Sequence, residues 1–267
     1  MWSKAGHQNG ITVNMIAFAI SLAKRFPDKN ILLLDTNTKF GFLQNYLMTH
    51  DNNKSLDALI DKQNTNELNK EIYCSFLNEV KGFKNLFSVN ASTNYVFNNI
   101  RDMKEDFNSV IDIGKEIFDF VLIDNSAGDS EISRLVNNKS DIIINFMKLN
   151  KHLLDYMENT NQLAEVKDKT KYFNVFNMYR DLVGIGPNEI TKLWKIENFD
   201  MIPYCEELDY QINSNNLIKY ISNENNSYIS SINSILEKLL IILNIEDSKV
   251  IETVDTKKSR FRLFKRR

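Results

Sequence analysis

Two short, fully apolar runs, each closed by an aspartate, restrict the fold most. One is Ile31, Leu32, Leu33 and Leu34 before Asp35; the other is Phe120, Val121, Leu122 and Ile123 before Asp124. Four apolar residues in a row between polar flanks suit a strand covered on both faces. Similar runs predict strands at Leu86–Val89, Asp119–Ile123, Asp141–Phe146, Tyr172–Asn177 and Phe199–Ile202. Between them the apolar residues recur at helical spacing. Met15, Ile16, Ala19, Ile20, Leu22, Ala23 and Phe26 line one helix, which Pro27-Asp28 ends. Residues 40–80 read as helix in pieces, and further helices are expected over 107–117, from Ser130, over 151–166 and over Asn188–Lys195. Residues 227–243 carry the most regular pattern, with Tyr228, Ile229, Ile232, Ile235, Leu236, Leu239, Leu240 and Leu243 on one stripe, as in a core-packing helix. Strands alternating with helices predict an α/β fold: a mostly parallel sheet with helices on both faces, in three layers. Ligands of such sheets bind at the carboxyl ends of the strands, where Asp35 and Asp124 stand.

A loop that could bind phosphate opens the first helix. Residues Ser3–Asn14 read SKAGHQNGITVN. Backbone N–H groups of such a loop, with the helix N-terminus behind them, form an anion site. Laid on the pattern G-x-x-x-x-G-K-[ST], Gly10 takes the last glycine and Thr12 the hydroxyl that holds Mg²⁺. Ala5 stands where the first glycine belongs, and Ile11 where a lysine should reach the phosphates. The plainer alternative is a polar loop capping a helix, with Thr12 as N-cap. His7 fits either an anion donor or a surface position. Only Met1 and Trp2 precede the loop, so the first strand is expected to be truncated or missing from the sheet.

With 267 residues, 43% of them hydrophobic, the chain can bury a full core. A net charge of −2 argues against a surface that is basic throughout. The last eleven residues, KKSRFRLFKRR, nevertheless carry seven Lys or Arg and no acid. Residues 1–245 are expected to form the domain, and 246–267 a polar linker and basic tail. Cys74 and Cys205 match no metal spacing and read as reduced thiols, and the three histidines form no cluster. No apolar run approaches the roughly 18 residues of a membrane span, and no signal peptide is visible.

Four segments, in order, resemble the MinD/ParA class of deviant P-loop ATPases. Asp35-Thr36-Asn37-Thr38-Lys39-Phe40-Gly41 is similar to their D-x-D-x-x-x-G segment, and Phe118 to Gly128 (FDFVLIDNSAG) to their Walker B segment. Phe176-Asn177-Met178-Tyr179-Arg180 resembles their N-R-Y segment, and Ile202-Pro203-Tyr204 their I-P-Y segment. Phe40-Gly41 and the divergent loop resemble the CpaE/TadZ branch, whose members help to localise and assemble pili. The resemblance implies a P-loop NTPase-like fold and a homodimer enclosing ATP and Mg²⁺. Gly6, His7, Gln8, Asn9, Gly10, Ile11, Thr12 and Val13 would wrap the phosphates. Thr12 would hold Mg²⁺ directly and Asp124 through water. Asp35 would orient the attacking water, Asn177 would contact adenine, and Pro203 would lie in the base-binding segment.

Departures from the pattern bear on activity. Gly6 lies where the family's signature lysine should be, Lys4 is two residues out of register, and Asn37 replaces the second acid. Phosphoryl transfer depends on positioning and charge stabilisation. One charged donor aimed at developing charge is worth about 10²–10³ in rate. Little or no hydrolysis is therefore expected. Three functions fit the residues: a spatial organiser for a pilus or secretion apparatus, a DNA-binding partition protein, or a scaffold without nucleotide. Within Lys257–Arg267, Phe261, Leu263 and Phe264 favour an anionic membrane surface over nucleic acid, a solvated tail being the alternative. The expected location is the cytoplasm, peripheral to the inner face of the membrane.

Overall fold

The computed structural model describes residues 1–4, 9–37, 41–49, 51, 53–91, 104–125, 128, 130–180 and 185–245. Two compact units divide the chain, Met1–Asn233 and Ser234–Arg267. The expected tail, 246–267, lies outside the described residues.

The first unit is built on strands in two hydrogen-bonded groups. In one, β1 (Ile31–Asp35) lies between β3 (Leu86–Val89) and β4 (Phe120–Asp124), parallel to both. A two-residue strand, β2 (Asn78–Glu79), adds antiparallel to β3 at the edge. In the other, β5 (Ile143–Lys148), β6 (Tyr172–Tyr179) and β7 (Phe199–Pro203) run parallel in that order.

Met1–Ser3 lies between β4 and β5. Trp2 pairs in parallel with Asn145: its N–H donates to Ile144 O (3.0 Å), and the N–H of Phe146 donates to Trp2 O (2.9 Å). On the other side the Met1 amine donates to Ile123 O, and the N–H of Asn125 donates to Met1 O (3.0 Å). Two peptide units thus stitch β4 to β5. Trp2 is buried, and its indole N–H reaches Gly128 O at 3.0 Å. Met1 and Trp2 thus carry strand hydrogen bonding on both edges.

Helix α1 (Ile11–Arg25) packs on β1, β3 and β4, and every residue from Val13 to Ala23 is buried. On β1, Leu32 and Leu34 belong to a core with Tyr73, Phe107, Val110 and Ile111. Alternation along the strand turns Ile31 and Leu33 the opposite way, so helices cover both faces. That core is closed by α3 (Leu56–Asn64), α4 (Lys70–Ser75), α5 (Lys104–Ile117) and α6 (Glu131–Lys139), with the short α2 (Leu43–Leu47) preceding them. A second core gathers Trp2, Met147, Leu154, Met157, Phe176 and Trp194. It is covered by α7 (Lys151–Asn159) and α8 (Leu163–Val166).

Several boundaries differ from the sequence reading. The strand expected over Asp141–Phe146 begins two residues later, because Asp141 and Ile142 form a bend. The helix expected over 151–166 is split at Asn161, whose φ of 57° no helix accommodates. Asn188–Lys195 is a helical turn, α9 (Pro187–Glu189), followed by a turn of π-helix over Ile190–Trp194. Two unexpected helices follow β7: α10 (Glu206–Asn213) and α11 (Leu217–Ile221). No residue of α10 is buried, so it carries no apolar stripe to read. Helix α12 (Ser227–Ile242) follows its periodic pattern.

Candidate functional site

Strands β1 and β4 pair in register along their whole length, so their last residues, Asp35 and Asp124, stand side by side. Both carboxylates are buried. The hydroxyl of Thr12, in the first turn of α1, donates to Asp124 Oδ2 at 2.5 Å. Thr12, Asp35 and Asp124 therefore meet at one carboxyl edge, as the sequence reading required.

Asp35 is held tightly. Its Oδ1 accepts the N–H of Asn37 at 2.9 Å, while Oδ2 has no hydrogen-bond partner. Gly41 leaves room for it: a Cβ there would lie 2.9 Å from Oδ2. Burial, and then the neighbouring charge of Asp124, push the Asp35 carboxyl well above the usual carboxylate range; the amides of Asn37, Leu43 and Ala91 oppose the rise. Burial also raises Asp124, against the Thr12 hydroxyl and the Met1 ammonium. That ammonium is itself drawn down to about 6 by burial, with the charge of Asp124 opposing. Burial and Asp124 both raise the Tyr46 hydroxyl, placing Tyr46 of α2 within reach of the site's field. Nothing in the sequence pattern had singled out Tyr46.

The loop residues divide. Gly6, His7 and Gln8 lie outside the described residues. Gly10, not Thr12, is the N-cap of α1, with φ +73° and no side-chain cap. The simpler expectation of a Thr12 cap is thus corrected: the Thr12 hydroxyl goes to Asp124 instead. Ile11 and Val13 lie in the first helical turn and bring no charge. Lys4, the cation nearest the motif position, is engaged by Glu165. Its ammonium pairs with Glu165 at 3.0 Å and lies 5.4 Å from the ring centre of Trp2. Glu165 also accepts the Tyr172 hydroxyl.

Asn177, on β6, is buried and donates to the backbone oxygen of Asn9 at 2.7 Å. Pro203 ends β7 and is exposed. The adjacent Tyr204 donates its N–H to Tyr179 O at 2.8 Å, and the Arg180 guanidinium lies 4.0 Å from its ring centre. The N-R-Y-like and I-P-Y-like segments are thus in direct contact.

Two buried carboxylates, one with an orphan oxygen, and a hydroxyl make an all-oxygen set suited to Mg²⁺. No group of three or more His, Cys, Asp or Glu among the described residues could hold a metal. An ion at this edge would therefore need ligands from a bound phosphate and from water, the usual habit of Mg²⁺.

No family model matches the chain, and no curated protein matches it in sequence. Solved structures do. A ParA family ATPase from Chlorobium tepidum superposes with a TM-score of 0.72 at 16% identity, covering 88% of this chain and 96% of that one. The septum site-determining protein MinD of Pyrococcus horikoshii, complexed with Mg-ADP, gives 0.69 at 16% identity, covering 89% and 93%. A putative plasmid partition protein of Borrelia burgdorferi, bound to AMPPNP, gives 0.65 at 16% identity, covering 90% and 96%. The chain has the fold of the MinD/ParA P-loop ATPases. At these identities the likeness establishes architecture, and the coverage extends it over most of the chain.

Proposed function

We propose that this protein is a MinD/ParA-like spatial organiser that binds ATP with Mg²⁺ as a homodimer and hydrolyses it slowly or not at all. The observation that carries the proposal is the meeting of Thr12, Asp35 and Asp124 at the mouth of α1, with Ile11 where the charge should be and Lys4 paired to Glu165. Mg²⁺, when bound, would neutralise phosphate charge. Thr12 would hold it through its hydroxyl, Asp124 would accept from its water, and Asp35 would orient a further water. With no lysine to match the charge that develops on the phosphate, positioning remains while most of the rate is lost.

For the biological role we propose assembly or localisation of a pilus or secretion apparatus. The Phe40-Gly41 pair and the divergent loop, similar to the CpaE/TadZ branch, support it. Partition of DNA is the alternative, supported by the likeness to the Borrelia partition protein and by the basic tail. Pilus or secretion genes beside its own would favour the first; a neighbouring DNA-binding gene with a repeated site would favour the second.

The direct test is calorimetric titration with ATP, with and without Mg²⁺, alongside phosphate release. Saturable, Mg²⁺-dependent binding with turnover far below that of an ordinary member is expected. Ile11→Lys should tighten binding about tenfold or more, since a charge-assisted hydrogen bond contributes about 1.5–3 kcal/mol. Ordinary turnover abolished by Asp35→Ala would refute the slow-hydrolysis reading. No binding by either protein would leave a scaffold without nucleotide.

A further inference from the structure

Asn177 has a use besides the adenine contact that its resemblance implies. It lies at the end of β6, beside a bulge where Met178 takes φ +59° and the pairing with β7 shifts register. Bulges re-aim the side chains next to them. Here the Asn177 amide is aimed at the loop: Nδ2 donates to Asn9 O at 2.7 Å. It also fills the space beside Gly10, where a Cβ would lie 2.5 Å from Nδ2. Asn9 is tied from the other side too, its own Nδ2 donating to the buried Ser3 Oγ at 2.7 Å. The peptide that enters Gly10 is therefore fastened to β6 and to the Met1–Ser3 stub at once.

This fixes where the loop's donors point. A trans peptide turns its C=O and N–H in opposite directions. With Asn9 O facing Asn177, the Gly10 N–H faces away from β6. It then joins the amides of Ile11, Thr12 and Val13, which have no acceptor within their own helix. A left-handed Gly10 leading into the right-handed turn of α1 is the backbone sequence of an anion nest.

We infer that Asn177 is a positioning residue of the phosphate loop, acting on every ligand that carries a triphosphate. The inference rests on the nucleotide-binding reading above.

The experiment titrates ATP, GTP and inorganic tripolyphosphate, each with Mg²⁺, into the full chain and into Asn177→Ala and Asn177→Ser. Serine keeps a hydroxyl at the site but is too short to reach Asn9 O. Each variant should weaken all three ligands by the same factor, about tenfold, as expected when a buried carbonyl loses its donor. A variant that weakens ATP alone, or shifts the ATP-to-GTP ratio tenfold with tripolyphosphate unchanged, would make Asn177 a base reader and overturn the inference. Hydrogen exchange of residues 9–13 gives a readout independent of ligand. It should speed up in both Asn177 variants but not in Asn198→Ala, which disturbs β6 and β7 away from the loop. If wild type binds none of the three ligands, the nucleotide reading falls. The positioning role is then decided by exchange alone: faster exchange upholds it and unchanged exchange ends it.

Discussion

At Asp35, burial and a like charge act in the same direction, and the pH dependence follows from that. A carboxyl whose pKa is raised by folding favours the folded chain fully below its unfolded value, near 3.8. That contribution is lost as pH climbs through the raised folded value. Wild type should therefore lose stability on the alkaline side of the ordinary carboxylate range. Asp35→Asn, nearly isosteric and uncharged, should flatten the profile and be more stable than wild type at pH 8. Thermal melts from pH 4 to pH 8 decide it: a flat wild-type profile, or a variant weaker throughout, would refute the assignment. Gly10→Ala is a second case. Its φ of +73° costs an L-residue about 1–2 kcal/mol, and the Asn177 amide must move as well. Urea unfolding should show a loss beyond that strain. Asp35, Asp124, Thr12 and Gly10 were legible because each stands where an element begins or ends. The Lys4–Glu165 and Asn177–Asn9 contacts were not. They depend on which distant strands become neighbours, and no local pattern encodes that.

Among the elements, those that bury side chains on both faces were the readable ones. The predicted strand Leu86–Val89 and the periodic helix over 227–243 match observed elements to within a residue or so. Helix α10, with nothing buried, and the two-residue β2 left no trace in the apolar pattern. The Met1–Ser3 stub was illegible for another reason: its strand character lies in backbone hydrogen bonds to β4 and β5. Trp2 is its anchor, buried in the second core and bonded to Gly128 O. Trp2→Ala should cost about 3–5 kcal/mol in denaturant unfolding, as large aromatic truncations in cores do. Leu193→Ala, at a position 55% exposed, should fall within about 0.5 kcal/mol of wild type. Comparable losses for the two variants would mean that the stub does not hold the sheet together.

For the whole molecule, the open matter is what it attaches to. No helix among the described residues is long and apolar enough to cross a membrane. Attachment to lipid would fall to Lys257–Arg267, outside the described residues, where seven cations surround Phe261, Leu263 and Phe264. Each cation near an anionic surface contributes about 1 kcal/mol. The apolar side chains would add burial at the headgroup boundary, which DNA does not offer. So short a segment is a marginal helix in water, so any helix there would form on the lipid. One copy should bind weakly and reversibly. Two copies on a homodimer would bind with avidity, so nucleotide-driven dimerisation would set membrane attachment. Co-sedimentation of the full chain and of residues 1–256 with anionic and neutral vesicles, at low and high salt, tests this. The full chain should pellet with anionic vesicles at low salt, lose most of that binding at high salt, and bind more tightly when ATP and Mg²⁺ are present. Removal of the tail should abolish it. Equal pelleting of the two proteins, or a preference of the tail for duplex DNA over anionic vesicles, would refute the membrane role and favour partition.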